Sequence, residues 1–157
     1  MSDIHSDDVL VELVDGTIDS LQLRDVQRRK DTGRFKRICE IEQARVPWDD
    51  RILVPLQEHL YVVERDPEPV VKCRCGHEFG DYRRNWKENA LVYERDAQDG
   101  EVFVGPRGAP AEWVVLREFY CPGCAAQLDV EVVPAVYPFV HNFVPDLSAL
   151  PGIEAAQ

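Results

Sequence analysis

The sequence predicts an α+β protein: a zinc-ribbon-like antiparallel β module with a helical N-terminal region and an extended C-terminal arm rich in proline and aromatic residues. Apolar residues recur at helical spacing in the first third, and short β-branched and aromatic runs replace them from residue 51. Two cysteine pairs lie within the second part. The predicted domains are therefore a helical docking region at 1–50, a zinc-ribbon domain at 51–134 and the arm at 135–157.

Three short amphipathic helices are predicted in the first domain. The first begins after Ser6 with acidic residues in its first turn and ends before Gly16. A second is indicated around residues 21–26, and a third begins near Phe35 and ends before Pro47. Residues 1–20 contain carboxylates but no lysine or arginine, whereas 24–37 contain seven basic residues and two acidic ones. This segregation is compatible with a solvated helix surface and with docking on a partner.

Strands are predicted where β-branched and aromatic residues cluster. The runs are 52–54, 60–63, 70–72, 90–93, 102–104, 113–120 and 128–133. Asp99 and Gly100 predict a hairpin turn, 105–110 a loop, and 81–89 one or two helical turns. The runs beginning at residues 70 and 113 lead directly into the cysteine pairs.

The cysteine pairs predict a four-thiolate metal site formed by Cys73, Cys75, Cys121 and Cys124. Each pair is short enough for a tight turn in which both sulfurs converge, and we expect glycines 76 and 123 to supply positive φ angles there. Zn²⁺ is the expected ion, and four protein ligands leave no open position for a substrate. The predicted role is therefore structural.

These cysteines could also form disulfides, a redox dithiol or an iron site. Disulfides are disfavoured because residues 1–15 do not form an apolar signal peptide, and a dithiol redox role because a second pair accompanies Cys121 and Cys124. Rubredoxin-like iron uses the same ligands and stays open, with zinc preferred. The fifth cysteine, Cys39, is expected to pack as a small apolar residue.

The net charge of −11 disfavours nucleic acid as a partner, because such a field repels phosphates. No apolar run reaches the ~20 residues of a membrane span, so the expected compartment is the cytoplasm, with no membrane partner. A local basic group surrounds the first cysteine pair, and we expect it to offset thiolate charge and lower the cysteine pKa values. Its members are Lys72, Arg74, Arg83, Arg84 and Lys87.

No catalytic or cofactor-binding residue is assigned, because the sequence contains no glycine-rich phosphate loop, zinc-protease helix motif or nucleophile elbow. His77 is expected to hydrogen-bond near the metal in preference to ligating it. His59 and His141 are interpreted as packed or surface histidines. Asp49 and Asp50 are interpreted as a helix or turn cap in preference to a Mn²⁺ or Mg²⁺ site.

The arm carries prolines at 134, 138 and 145 between Tyr137, Phe139 and Phe143, which excludes a central strand. These aromatic side chains need burial, either on the chain's own sheet or on another protein. Docking on a partner is preferred because a proline-stiffened arm loses little entropy on binding.

Several motifs together resemble the gamma-type small subunit of acetone carboxylase and its relatives, including acetophenone carboxylase. The resemblance runs nearly end to end, and its most specific parts are the runs that contain the cysteines. The motifs are Val14-Asp-Gly16 with Ile18 and Asp19, Val46-Pro-Trp-Asp-Asp50, Cys73-Arg-Cys-Gly-His-Glu-Phe-Gly-Asp-Tyr-Arg-Arg-Asn-Trp-Lys87, Arg117-Glu-Phe-Tyr-Cys-Pro-Gly-Cys124, Tyr137-Pro138 and His141-Asn-Phe143.

The resemblance implies a zinc-containing, non-catalytic structural subunit that braces large hydantoinase- and oxoprolinase-like subunits in a hetero-oligomer. Those subunits would bind ATP and a divalent cation and carboxylate a ketone without biotin. The glycine-rich segment 96–111 departs from the acetone-specific pattern and favours acetophenone carboxylase or another divergent ketone carboxylase. The alternative from another class is a free-standing zinc-ribbon adaptor of nucleic-acid or other multiprotein machinery.

Overall fold

The computed structural model describes residues 4–96 and 113–150. Three helices come first along the chain, and two antiparallel sheets follow. The predicted strand at 102–104, the turn at Asp99 and Gly100 and the loop at 105–110 lie outside the described residues. Within the described ranges, no helix has the length and apolar character needed to cross a membrane.

The three helices confirm the sequence prediction. They are α1 (Asp7–Val14), α2 (Ser20–Arg28) and α3 (Arg34–Gln43). Side chains cap the first two, because Ser6 accepts from the backbone N–H of Val9 and Asp19 accepts from that of Leu21.

Ion pairs join α3 to the first helix. Arg37 donates to Asp7 at 2.6 Å, and Arg45, just beyond α3, donates to Asp15 at 2.7 Å. Part of the segregated charge of the N-terminal region is therefore neutralised within the chain. The use of residues 1–50 as a docking region stays a prediction, as do the three domain boundaries.

The first sheet has four strands in sequential order. They are β1 (Ile52–Gln57), β2 (Leu60–Val63), β3 (Val70–Cys73) and β4 (Glu78–Asp81). All four residues of β2 are buried, as is typical of a central strand. The sequence did not predict β4, because its one apolar side chain, Phe79, gives no alternating pattern.

The second sheet has three strands in the order β5-β6-β7. They are β5 (Leu91–Asp96), β6 (Val115–Tyr120) and β7 (Gln127–Val133), and all three were predicted within a few residues. A 3₁₀ helix at Trp86–Asn89 connects the sheets, as the prediction of one helical turn required.

A hydrophobic cluster lies at the junction of the two sheets. Leu60, Val71 and Phe79 of the first sheet and Leu128 of the second are buried together with two of the cysteines. The Gln57 side chain also donates to the carbonyl of Leu128 across the junction. The cysteine cluster is therefore part of the packing that joins the sheets.

The described part of the arm, residues 135–150, contains no strand and ends in a 3₁₀ helix at Leu147–Ala149. Its inner side packs on the chain itself. Phe139 meets Phe119 edge-on with centroids 5.2 Å apart, and Leu147 is buried beside Leu53 of β1. Tyr137 and Phe143 remain exposed. The arm thus uses its own sheet for some apolar residues and leaves others available to a partner.

Candidate metal centre

Four sulfur atoms converge where the two sheets meet. The Sγ atoms of Cys73, Cys75, Cys121 and Cys124 all lie within 4.8 Å of one another. The Cys73–Cys124 and Cys75–Cys121 separations are 3.8 and 3.7 Å. Four sulfurs placed tetrahedrally at ~2.3 Å from a zinc ion would lie about 3.8 Å apart. A disulfide needs ~2.05 Å, so the spacing fits tetrahedral coordination and excludes a disulfide in this arrangement.

The two cysteine turns have closely similar backbone geometry. In the first, the N–H of Cys73 donates to the carbonyl of His77 at 2.8 Å; in the second, that of Cys121 donates to Ala126 at 2.9 Å. Each turn also contains one residue with positive φ, at +101° for Gly76 and +57° for Ala125. Strands β3 and β6 therefore lead into two similar turns. We call residues 73–77 the first knuckle and residues 121–126 the second knuckle.

Gly123 corrects one prediction made from the sequence. Gly76 has the expected positive φ, but Gly123 is not among the positive-φ residues, and Ala125 occupies that conformation in the second knuckle. Gly123 is needed for space instead. A Cβ atom there would lie 3.0 Å from the Cβ of His77 and 3.1 Å from the Sγ of Cys75. The missing side chain lets the two knuckles approach each other.

Backbone N–H groups point at the sulfurs, as a thiolate site requires. The N–H of Gly123 donates to the Sγ of Cys121 at 3.3 Å. Burial raises the pKa of Cys73 and outweighs a backbone hydrogen bond that lowers it. Burial also opposes ionisation of Cys75, but hydrogen bonds from the His77 backbone and from the other sulfurs outweigh it and lower the pKa of that thiol.

The site is half enclosed. Cys73 and Cys121 are fully buried in the junction cluster, whereas Cys75 and Cys124 are exposed. Hydrophobic packing therefore fixes one cysteine of each knuckle, and the other cysteine of each faces outwards. Such a set can hold a metal ion firmly while the ion stays near the surface.

Trp48 supports the first knuckle, a role that the sequence did not reveal. Its Nε1 donates to the carbonyl of Arg74 at 3.1 Å, its Cδ1 lies 3.6 Å from where a Cβ of Gly76 would be, and Lys72 lies 5.0 Å from its ring centroid. The only available signal was a tryptophan directly after Pro47 in an otherwise polar loop.

Two of the basic residues near the first knuckle pair with carboxylates. Lys72 donates to Asp50 at 2.5 Å, and Arg83 pairs with Asp81 at 2.9 Å. Carboxylates compete successfully for these cations because they bear full charges within hydrogen-bonding distance. Asp50 accepts from Lys72 and also from Arg65, at 2.8 Å, so its carboxylate links two cations beside the first knuckle.

Lys87 lies at the centre of a buried ion cluster on the second sheet. Its side chain is fully buried, and its Nζ lies 2.6 Å from Asp129 and 2.5 Å from Glu131. The cation also lies 5.0 Å from the centroid of Phe119. Sequence reasoning missed this cluster, although carboxylates at alternate positions of a predicted strand were a possible signal.

The other singled-out residues do not join the cysteine cluster. The ring of His77 packs edge-on against Phe79 with centroids 4.9 Å apart, and the hydrogen bonds that His77 makes at the sulfur cluster come from its backbone. Cys39 is half-buried against Ile52 and Tyr61, as predicted. Burial raises its pKa to about 11. Among the described residues, no other group of three or more histidine, cysteine or acidic side chains is close enough to hold a metal ion.

The fold and site define a class: small α+β proteins in which four cysteines join two antiparallel sheets in the manner of a zinc ribbon. A family model described as "Acetone carboxylase gamma subunit" matches residues 46–152. The acetone carboxylase gamma subunit of Xanthobacter autotrophicus is 41% identical over 143 residues, which cover 88% of this chain and 85% of that one. The chain belongs to the acetone carboxylase gamma subunit family.

A second relative is the acetophenone carboxylase beta subunit of Aromatoleum aromaticum. It is 35% identical over 80 residues, which cover 48% of this chain and 62% of that subunit. The match to the acetone enzyme's subunit is therefore longer and higher in identity, and these two comparisons do not support the sequence-based preference for acetophenone carboxylase. The segment 96–111 that motivated this preference lies almost wholly outside the described residues.

Proposed function

We propose that this chain is the zinc-stabilised, non-catalytic small subunit of an ATP-dependent, biotin-independent ketone carboxylase, in which it braces the large catalytic subunits. The observation that carries the proposal is the closed set of four cysteine sulfurs, found in a chain that is 41% identical to an acetone carboxylase gamma subunit. A tetrahedral site filled by protein ligands offers no position for a substrate or for an activated water. The site would therefore stabilise the fold of the subunit.

Zinc suits these donors better than other divalent ions. Four soft sulfurs at tetrahedral spacing exclude the hard, oxygen-preferring Mg²⁺, Mn²⁺ and Ca²⁺, and zinc avoids the redox changes of iron in the same ligand set. The divalent cation and the ATP would therefore bind to the partner subunits, which we propose to be large hydantoinase- and oxoprolinase-like chains. The complex would act in the cytoplasm.

The proposal predicts that the purified chain neither hydrolyses ATP nor carboxylates acetone or acetophenone. The assays are phosphate release and incorporation of labelled bicarbonate, each run for the isolated chain, for the large subunits without it, and for the complete complex. We expect turnover in the complete complex alone. Turnover by the isolated chain at a rate comparable with the complex would contradict the non-catalytic role.

A metal-site variant tests the structural role. Structural zinc is worth roughly 10–16 kcal/mol in small zinc-binding peptides at neutral pH, so Cys121→Ser should release the ion and unfold the junction between the sheets. Cys39→Ser is the matched control, because this thiol lies outside the sulfur cluster. Metal content and thermal melting are measured for both. A Cys121→Ser variant that melts normally and still assembles would rule out the structural role.

A further inference from the structure

One face of the second sheet exposes apolar residues on both of its outer strands. Leu91 and Tyr93 of β5, Leu116 of β6, and Val130 and Val132 of β7 form what we call the open face. The strand register places these residues on the same face. Leu116 pairs with Val132, and Glu118 pairs with both Tyr93 and Val130. Cross-strand partners and residues two apart along a strand point to the same side of a sheet.

The open face is exposed. The exposed fraction is 55% for Leu91, 52% for Tyr93, 44% for Val130 and 67% for Val132. A solvated face of an antiparallel sheet normally carries polar residues at such positions, so this pattern departs from the usual alternation. Exposed apolar residues clustered on one face are typical of a contact with another molecule.

The opposite face of the same sheet is already used. Phe119 on that face packs against Phe139 of the arm, and Glu131 accepts from the backbone N–H of Val140 at 3.0 Å. The arm therefore covers one side of the sheet within the chain. The side that remains is the open face.

The charges within the open face are already paired with one another. The Nε of Arg95 lies 3.0 Å from Glu118, and the guanidinium of Arg95 lies 4.9 Å from the centroid of Tyr93. The Tyr120 hydroxyl donates to the other oxygen of Glu118 at 2.8 Å, and these hydrogen bonds lower the pKa of that carboxyl group. Covering this surface would therefore leave no charge unpaired, as a stable protein interface requires.

We propose that the open face is the docking surface for another subunit of the carboxylase, which meets it with an apolar patch and a neutral to basic rim. This inference rests on the proposed function. The net charge of −11 disfavours a second copy of this chain as the partner, because two such copies repel each other. The same charge disfavours nucleic acid. A different protein chain of opposite or neutral local charge is the occupant that the electrostatics favour.

Val132→Lys tests the surface with a matched control. Val132 and Trp113 have similar exposure, 67% and 68%, but Trp113 precedes β6 and is not part of the open face. Neither substitution disturbs the core, so both variants should retain the wild-type metal content and melting temperature. A lysine within a covered apolar surface should weaken binding to the carboxylase subunits by about tenfold or more, because its charge loses water and gains no partner.

The measurement is co-purification of each tagged variant with the other subunits of its own carboxylase, quantified by mass spectrometry and followed by titration. Val132→Lys should lose those subunits, while Trp113→Lys and the wild type retain them. Equal retention by all three would show that the open face is not the docking surface and would leave the proposed function unaffected. A wild-type chain that binds no carboxylase subunit would overturn both. A wild-type dimer that Val132→Lys dissociates would assign the surface to a second copy instead.

Discussion

Gly123→Ala probes the closest contact between the two knuckles. The added Cβ would lie 3.0 Å from the Cβ of His77 and 3.1 Å from the Sγ of Cys75. Ordinary contacts between such atoms are about 3.5–4.0 Å, so one knuckle must move by roughly 0.5 Å. Metal–sulfur distances tolerate about 0.2 Å. The substitution therefore forces a choice between a steric clash and a distorted sulfur tetrahedron.

Overpacking of this kind costs about 1–3 kcal/mol, which corresponds to about 5- to 150-fold weaker metal binding if the strain falls on the site. The assay is competition for Zn²⁺ against a chromophoric chelator, with Co²⁺ absorption as a report on the four-sulfur geometry. No backbone penalty adds to this figure, because Gly123 is not in the positive-φ region.

Gly16→Ala is the control for loss of a glycine. Gly16 has a φ of +67° and nothing within 4 Å of its missing Cβ, so alanine there costs about 1–2 kcal/mol of backbone strain without touching the metal. We expect a lower melting temperature and unchanged zinc affinity. The reasoning about the knuckles is refuted if Gly123→Ala binds Zn²⁺ as tightly as the wild type with the same Co²⁺ spectrum.

Two further predictions concern buried groups away from the sulfurs. Lys87→Met leaves Asp129 and Glu131 without their cation and should lower the free energy of unfolding by about 3–5 kcal/mol in urea titrations. Lys36→Met removes an exposed ion pair and should lower the free energy of unfolding by at most about 0.5 kcal/mol. Similar decreases for the two variants would contradict the importance of burial at Lys87. Because burial raises the pKa of Cys39 from 9.0 to about 11, iodoacetamide at pH 8 should label this thiol roughly 100-fold more slowly in the folded chain than in urea. The folded state holds this proton more tightly, so the stabilisation is complete below pH 9 and is lost as the pH rises towards 11; fast labelling of the native protein would show that the thiol is not buried.

The helices and most strands could be predicted from local signals. Ser6 and Asp19 are residues with strong capping preference, and β2 is a run of four apolar residues between turn signals. Strand β4 could not be predicted in this way, because β4 gains its strand conformation from pairing with β3 and from burial of Phe79. Its local sequence lacks a pattern of its own.

The candidate site shows the same division. Cysteine spacing was enough to predict which four sulfurs would meet, because the spacing within each pair is a local property. The predicted positive φ angle of Gly123 was wrong. Glycine is needed there for space, and that space depends on His77 in the other knuckle. The pairing of Lys72 with Asp50 was missed for the same physical reason: contacts between residues distant in sequence follow from the fold and not from nearby residues.

Native mass spectrometry of the protein purified from the cells that produce it tests the central claim most directly. We expect a hetero-oligomer with large carboxylase subunits, from which the 18.0 kDa chain dissociates with one zinc ion bound. Cys121→Ser should abolish both the bound zinc and the assembly. Recovery of the wild-type chain without a metal ion, or of a metal-bearing chain with no carboxylase subunit, would contradict the account.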